Sequence, residues 1–231
     1  MLYILGKAAI ILLMRPPKIL YPPRPKGKMT PNQLPEYEAK RKWVAQCKYN
    51  GTRSLFYIPA NRKISDVLMI NRHGEFHKQF NPPKELFEQV LSLNLEPGQD
   101  YWLDGELLNA KTVTPYYKGK VVLYDVLHCG KYLYSKNLKQ RLEMLDSICR
   151  NPTQMEPNAG IALQVTKDIW MAPTFYGSFV NYFNKFIHLP EIEGLVLKLL
   201  DAFLDSSGQK MYETNSVIRC RKPHSSGSYS F

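Results

Sequence analysis

One lysine is placed where an amine could act as a nucleophile. Lys48 stands in the stretch WVAQCKYNGTR, residues 43–53, just ahead of Asn50-Gly51. That pair is a turn signal of the kind that joins two strands. A strand running into a tight turn holds Lys48 at the end of a rigid element. Strand alternation puts Gln46 and Lys48 on one face, with Ala45 and Cys47 on the other. Downstream come Arg53, Arg72, Asp104, Glu106, Tyr124, Glu193, Arg219 and Arg221, each on or beside a predicted strand. This inventory suits attack of an amine on a phosphoanhydride. A free lysine amine, with pKa ~10.4, is neutral about one part in a thousand near pH 7.5, a penalty of roughly 4 kcal/mol. A neighbouring cation or a divalent metal lowers that penalty. Arginines neutralise charge building on the phosphorus, carboxylates hold Mg²⁺, and a tyrosine face stacks on a purine.

Each residue also has a plainer reading. A lysine beside a turn is ordinarily a surface charge, and a tyrosine on an apolar strand is ordinarily core. Asp104 could serve only to fix a kink at Gly105. Glu191 is a neighbour of Glu193 with the same chemistry, and Lys222 replaces Arg219 or Arg221 if the register differs by one.

The elements that must position these groups follow in chain order. Residues 1–14 are an apolar run broken by Lys7, too short for a membrane span. They are read as a strand or helix on the core, or as residues ahead of a true start at Met14 or Met29. Residues 15–36 are rich in proline and basic side chains, which predicts an extended arm without regular structure, either a linker or a basic arm lying against phosphates. A short helix is read at 37–42. Strand, turn, strand covers 43–58, and a further strand ends at Arg72 with a turn at His73-Gly74. A helix is predicted over 82–93, a strand interrupted at Gly105 over 101–108, and an apolar strand over 119–127. Leu138, Leu142, Leu145 and Ile148 form the stripe of a helix over 135–150, with Ser135 as its cap. A strand at 161–166, an aromatic-rich helix at 174–188, and strands GLVLKLL and SVIRCR complete the reading. Mixed elements with strand–turn–strand pairs give an α+β fold with antiparallel sheets flanked by helices.

The chain has 231 residues and a formal net charge of +11. Such a charge points to a polyanionic partner, nucleic acid first and an acidic membrane second. Cys47, Cys129, Cys149 and Cys220 have no paired spacing. That argues against a zinc site or a secreted disulfide framework and fits a reducing, cytoplasmic interior. The apolar start lacks a basic flank and a cleavage site, so no signal peptide is read.

Taken in order, the motifs resemble those of the covalent nucleotidyltransferases: ATP-dependent DNA ligases, RNA ligases and mRNA capping enzymes. KYNGTR resembles their KxDGxR motif and NRHG their SRxG motif. LDGEL, VVLYDVL, EIEGLVLK and SVIRCRKP resemble the motifs that follow, covering roughly 43–223. The ordered set is far more specific than any one member. The resemblance implies an ATP-grasp-like adenylation domain over 43–223, preceded by the segment 1–42 and followed by a flexible tail at 224–231. It implies that Lys48 takes AMP from ATP, with Mg²⁺ (Mn²⁺ as the alternative ion) held by Glu193. Arg53 would contact ribose or phosphate, and Arg72 the nucleotide and a 5′-phosphate. Glu106 would take a ribose hydroxyl and Tyr124 would stack on adenine. Arg219 and Arg221 stand where two lysines usually hold the α-phosphate. Gln46, by parity with Lys48, would read the base edge.

Departures from the pattern bear on activity. Asn50 replaces the aspartate of KxDGxR, which removes a charge beside the lysine. Arginines replace the closing lysines, exchanging a compact charge for a rigid fork. DNA ligases and capping enzymes usually continue into an OB-fold, whereas this sequence stops at Phe231. The arginine of KYNGTR, with LDGEL and EGLVLK, leans toward a DNA ligase acting as a monomer on nicked duplex DNA or a DNA/RNA hybrid. An RNA ligase or capping guanylyltransferase is the alternative, and a binding module without catalysis the third reading. The compact size is of a kind met in viruses and phages.

Overall fold

The computed structural model describes residues 18, 19, 21–150, 153–154, 161–207 and 212–222. The apolar start at 1–14 and the tail at 224–231 lie outside them. In chain order the strands are β1 (Arg24–Met29), β2 (Trp43–Tyr49), β3 (Thr52–Ile58), β4 (Leu68–Asn71), β5 (Tyr101–Leu107), β6 (Val121–Cys129), β7 (Lys131–Tyr132), β8 (Thr153–Gln154), β9 (Leu163–Gln164), β10 (Ile169–Met171), β11 (Ile192–Leu199) and β12 (Glu213–Arg221). The α-helices are α1 (Leu34–Ala39), α2 (Lys84–Leu91), α3 (Leu138–Ile148) and α4 (Phe179–Phe186). A four-stranded sheet runs β1-β12-β11-β2. An eight-stranded sheet runs β4-β3-β5-β6-β10-β9-β8, with β7 against β6. Pairing is antiparallel except for β1 on β12 and β10 on β6. This is the α+β arrangement read from the sequence.

Two large apolar clusters hold the sheets, and a smaller one packs Leu138 and Leu142 on Val44 of β2. One joins β3, β5 and β6 to α2 and α3 through Leu55, Leu103, Val126, Leu86, Val90, Leu145 and Ile148. The other packs Ala45, Cys47, Leu195, Leu197, Ile218 and Cys220 of the smaller sheet against Val122, Trp170, Phe179 and Phe183. Cys47 and Cys220 therefore face the core, and the alternate residues of β2 and β12 face the other way. Burial pushes both thiols up to about 12, which leaves them inert.

Four expectations are corrected. First, Asn50-Gly51 does not close a hairpin: β2 pairs with β11, while β3 pairs with β4 and β5. The turn carries the chain from one sheet to the other, and Gly51 sits so close that a Cβ would lie 2.5 Å from the Leu107 carbonyl oxygen. Second, the segment read as an irregular arm over 15–36 is regular from residue 24 onward. β1 is an edge strand, with Pro25 tolerated there because an edge needs fewer donors, and α1 starts at Leu34, earlier than the helix read at 37–42. Third, the cap of α3 is Asn137, not Ser135. Asn137 accepts from Gln140 N at 3.0 Å, and the Gln140 side chain accepts from Asn137 N at 3.2 Å, a reciprocal capping box. Fourth, α4 starts only at Phe179. Residues before it lie along β2, with Phe175 N donating to Ala45 O at 2.8 Å. Glu38 of α1 then accepts from Ser178 N at 2.7 Å and Phe179 N at 2.9 Å.

Candidate active site

Lys48, Gln46, Arg53, Arg72, Glu106, Tyr124, Glu193, Arg219 and Arg221 all line one cavity of about 530 Å³. That volume lies in the range of small-molecule sites. Its floor is the polar face of the smaller sheet. In register, Lys48 is opposite Gly194, which is opposite Arg221; Gln46 is opposite Val196, which is opposite Arg219. Alternation along β2 and β12 thus delivers four of the nine to one face.

Two further groups arrive by irregularity. The β2–β11 register shifts between Ile192 and Gly194, so Glu193 is an extra residue on its strand. Gly194 has φ +141°, and a Cβ there would lie 2.0 Å from the Cys220 carbonyl oxygen. Only glycine fits, and the bulge it permits aims Glu193 at Lys48. The β5–β6 register shifts in the same way between Asp104 and Gly105, leaving Tyr124 as the extra residue. A Cβ on Gly105 would lie 2.6 Å from Val122 O. The sequence reading of an interruption at Gly105 therefore corresponds to a bulge that turns both Tyr124 and Asp125 toward the cavity.

Lys48 Nζ is ion-paired with Glu193 Oε2, and the same oxygen lies 3.4 Å from an Arg221 guanidinium nitrogen. Arg53 is held bidentately by Asp104, with Nε donating to Oδ1 at 2.6 Å. Burial works against the Arg53 charge, but the Asp104 carboxylate more than offsets it and raises the pKa above its ordinary value. Glu106 accepts from Tyr124 OH at 3.0 Å and from Gly51 N at 3.1 Å. Tyr124 lines the cavity, stacks on Tyr49 at 5.9 Å between centroids, and has Arg53 Cζ 5.8 Å and Lys198 Nζ 5.3 Å from its ring centroid. Arg72 sits at the rim, on the turn after β4, with Nε donating to His73 at 3.0 Å. Gly74 closes that turn at φ +82°.

The competing readings separate cleanly. Glu191 is 1% exposed and accepts from Thr114 N at 2.8 Å, whereas Glu193 lines the cavity beside Lys48. Lys222 reaches away, donating to the carbonyls of Ile187 and Leu189 at 3.3 Å each.

Lys198 is the group that the sequence reading passed over, although it closes the EGLVLK stretch. Its Nζ donates to Gln46 Oε1 at 2.6 Å, and Gln46 Nε2 donates to Thr174 Oγ1 at 3.1 Å. The amide of Gln46 is thereby fixed with its nitrogen toward Thr174. Burial lowers the Lys198 pKa to about 8 against the pull of Asp125 and Asp104. Parity was the available signal: Val196 and Lys198 share a face of β11.

Burial raises Glu106 to about 7, against the opposing charges of Arg53 and Lys48. Between pH 4.5 and 7 the folded protein keeps a proton that the unfolded chain has lost, so stability falls as pH rises through this window. Glu106→Gln removes that titration. The variant is expected to gain about 2 kcal/mol over wild type at pH 8 and almost nothing at pH 5, after allowing for the partial exposure of the group. Urea unfolding at the two pH values checks it; an equal difference at both would contradict the assignment.

The fold matches solved ligase structures. A mycobacterial DNA ligase D complexed with ATP and MES superposes with a TM-score of 0.50 at 16% identity, covering 78% of this chain and 54% of that one. Pmar-Lig_PreS3 matches with a TM-score of 0.51 at 15% identity, over 84% of this chain and 45% of that one. Pmar-Lig_Pre matches with a TM-score of 0.51 at 16% identity, over 85% and 46%. The chain spans about half the length of these structures. Neither a family model nor a curated protein matches the sequence. The fold is that of DNA ligase nucleotidyltransferase domains, the fold that the motif resemblance implied. Among the described residues no helix is long and apolar enough to cross a membrane.

Proposed function

We propose that the chain is the nucleotidyltransferase domain of an ATP-dependent polynucleotide ligase that seals nicks in DNA. The observation that carries this reading is the meeting, in one cavity, of the Lys48 amine, the Glu193 carboxylate and the Arg219 and Arg221 guanidiniums, beside Tyr124, whose hydroxyl donates to Glu106. Lys48 releases Glu193 and attacks the α-phosphorus of ATP. The N–P bond forms, the bond to the bridging oxygen breaks with its electron pair, and the proton leaving the amine ends on pyrophosphate. AMP then passes to the 5′-phosphate of a nick, and the 3′-hydroxyl displaces it.

Arg219 and Arg221 offset the charge that builds on the α-phosphate. Tyr124 stacks on the adenine, Glu106 accepts from the ribose, and Gln46 meets the base edge. Arg53, clamped by Asp104, is preorganised for the nucleotide, and Arg72 on the rim is exposed to the incoming strand end. Mg²⁺ commonly binds through one or two carboxylates plus substrate phosphates. Glu193 fits that mode, and the ion would supply charge neutralisation at the phosphate. The net charge of +11 suits a nucleic-acid partner.

The test is covalent labelling. Protein stripped of bound nucleotide with pyrophosphate is incubated with Mg²⁺ and ATP or GTP labelled at the α-phosphate, then run on a denaturing gel. Label from ATP that nicked DNA chases off is the expected result. Label from GTP alone would assign the chain to capping chemistry. No label from either would overturn the reading, and a chase by nicked RNA only would move it to RNA ligases.

A further inference from the structure

The cavity has a wall that none of the roles above uses. Residues Tyr21–Pro25, which lead into and begin β1, line the same cavity as Lys48. Pro22, Pro23 and Pro25 flank Arg24 and fix φ around it. Arg24 N also donates to Tyr212 O at 3.1 Å, which ties this residue to the chain entering β12. The arginine is therefore presented from a rigid support. Further along the parallel pair, Lys28 stands opposite Arg219.

Across β12 the cavity meets Arg219 and Arg221. Arg219 is held below its ordinary pKa, first by burial, then by the charge of Arg221, with Arg24 also contributing; Glu213 and Glu193 act in the opposite sense. The Arg221 and Arg24 guanidiniums are thus both near enough to act on the charge of Arg219. Moreover, Arg219 Nε is buried and has no hydrogen-bond partner. Buried donors are nearly always paired, because an unpaired one keeps the full cost of its desolvation. A cluster of like charges with an unused donor, opening into a cavity, is arranged for a multiply charged anion.

We infer that Arg24 binds the phosphates beyond the reacting one, with Arg219 standing between them and the α-phosphate, so that the N-terminal strand holds the departing pyrophosphate. This rests on the ligase reading for the identity of the nucleotide. A triphosphate with its α-phosphorus at Lys48 has Arg221 and Arg219 two strands across the sheet, at about 4.8 Å per strand, and β1 one strand beyond them. The later steps contain no pyrophosphate, so in this role Arg24 is not needed for them.

The experiment compares Arg24→Gln with wild type in three assays. Labelling of Lys48 by ATP at subsaturating concentration is expected to slow about 10-fold or more, as for a lost charge-assisted hydrogen bond. The pyrophosphate concentration needed to strip AMP from the labelled protein is expected to rise by a similar factor. Sealing of a nick supplied already adenylated is expected to stay within about twofold, since that step needs no triphosphate. Lys26→Gln on the same strand is the charge control, and thermal melting reports folding. Unchanged labelling and pyrophosphate dependence in Arg24→Gln would overturn the proposal. Equal loss in the pre-adenylated assay would overturn it too, placing Arg24 on the nucleic-acid phosphate instead. Absence of label in wild type would sink the ligase reading itself, a result distinct from both.

Discussion

Lys48→Ala is expected to leave no nucleotide on the protein under any condition that labels wild type. Loss of a covalent nucleophile costs about 10⁴-fold or more, or at least about 5 kcal/mol in the barrier, which puts residual labelling below detection. The fold should survive. Lys48 is half-buried, and Glu193 keeps Arg221 at 3.4 Å when the amine is gone. Lys48→Arg sharpens the test, because guanidinium preserves the charge facing Glu193 yet stays protonated and cannot attack phosphorus. Both variants should melt near wild type and neither should label. Label on Lys48→Arg would show that another residue carries the nucleotide.

The second large effect is structural. Asp125→Ala is expected to destabilise the protein by about 3–5 kcal/mol, the cost of removing one partner from a buried pair. Asp125 and Arg141 are both buried, and Arg141 donates to the two carboxylate oxygens from Nε at 3.0 Å and Nη2 at 3.1 Å. What would remain for the guanidinium is the Lys136 carbonyl at 2.9 Å and the Ala202 carbonyl at 3.4 Å. In a domain of this size each kcal/mol moves Tm by about 2–4 °C, so a fall of roughly 6–20 °C is expected. Converting the pair together, Asp125→Ala with Arg141→Leu, should recover much of the loss, since the unpaired charge is then absent. A double variant no better than Asp125→Ala alone would show that the two side chains are not coupled.

This pair explains why the site residues stay where they are. It pins α3 to β6 at the position where the bulge turns Tyr124 toward the cavity. Asp125 also attracts Lys198, which in turn fixes the Gln46 amide. Arg53, Asp104, Lys198, Asp125 and Arg141 form one alternation of charge beneath the site. Such a network rigidifies only while every member is satisfied.

How much of this could be read beforehand depends on the range of the interaction that decides it. Gln46 and Lys48 share a face because strand alternation is local, and the stripe of α3 was legible for the same reason. The cap of that helix was misplaced because Ser135 and Asn137 are both good caps; what separates them is the reciprocal bond with Gln140. The bulges at Glu193 and Tyr124 could not be located from spacing. Each is set by a glycine lying against a carbonyl on a strand far away in sequence. β1 was hidden by its prolines, which argue correctly against a central strand and say nothing against an edge. Lys198 was passed over because a lysine on a strand reads as exposed, and its burial depends on acids from β5 and β6.

β1 bears on aggregation as well. An open sheet edge is a template for a strand from another molecule. Here the edge carries Pro25, which has no N–H to offer, an irregularity in pairing between Pro25 and Gly27, and exposed Lys26 and Lys28. Those are the devices that discourage edge-to-edge growth. The strand behind it, β12, has no proline, and apart from Arg219 its middle is apolar, with Val217, Ile218 and Cys220 buried. A chain trimmed through residue 28 would open the edge of that strand that β1 covers, while β11 still pairs its other edge. It would exchange a guarded edge for a more adhesive one, so such a trimmed chain is expected to aggregate at a lower concentration than the full chain.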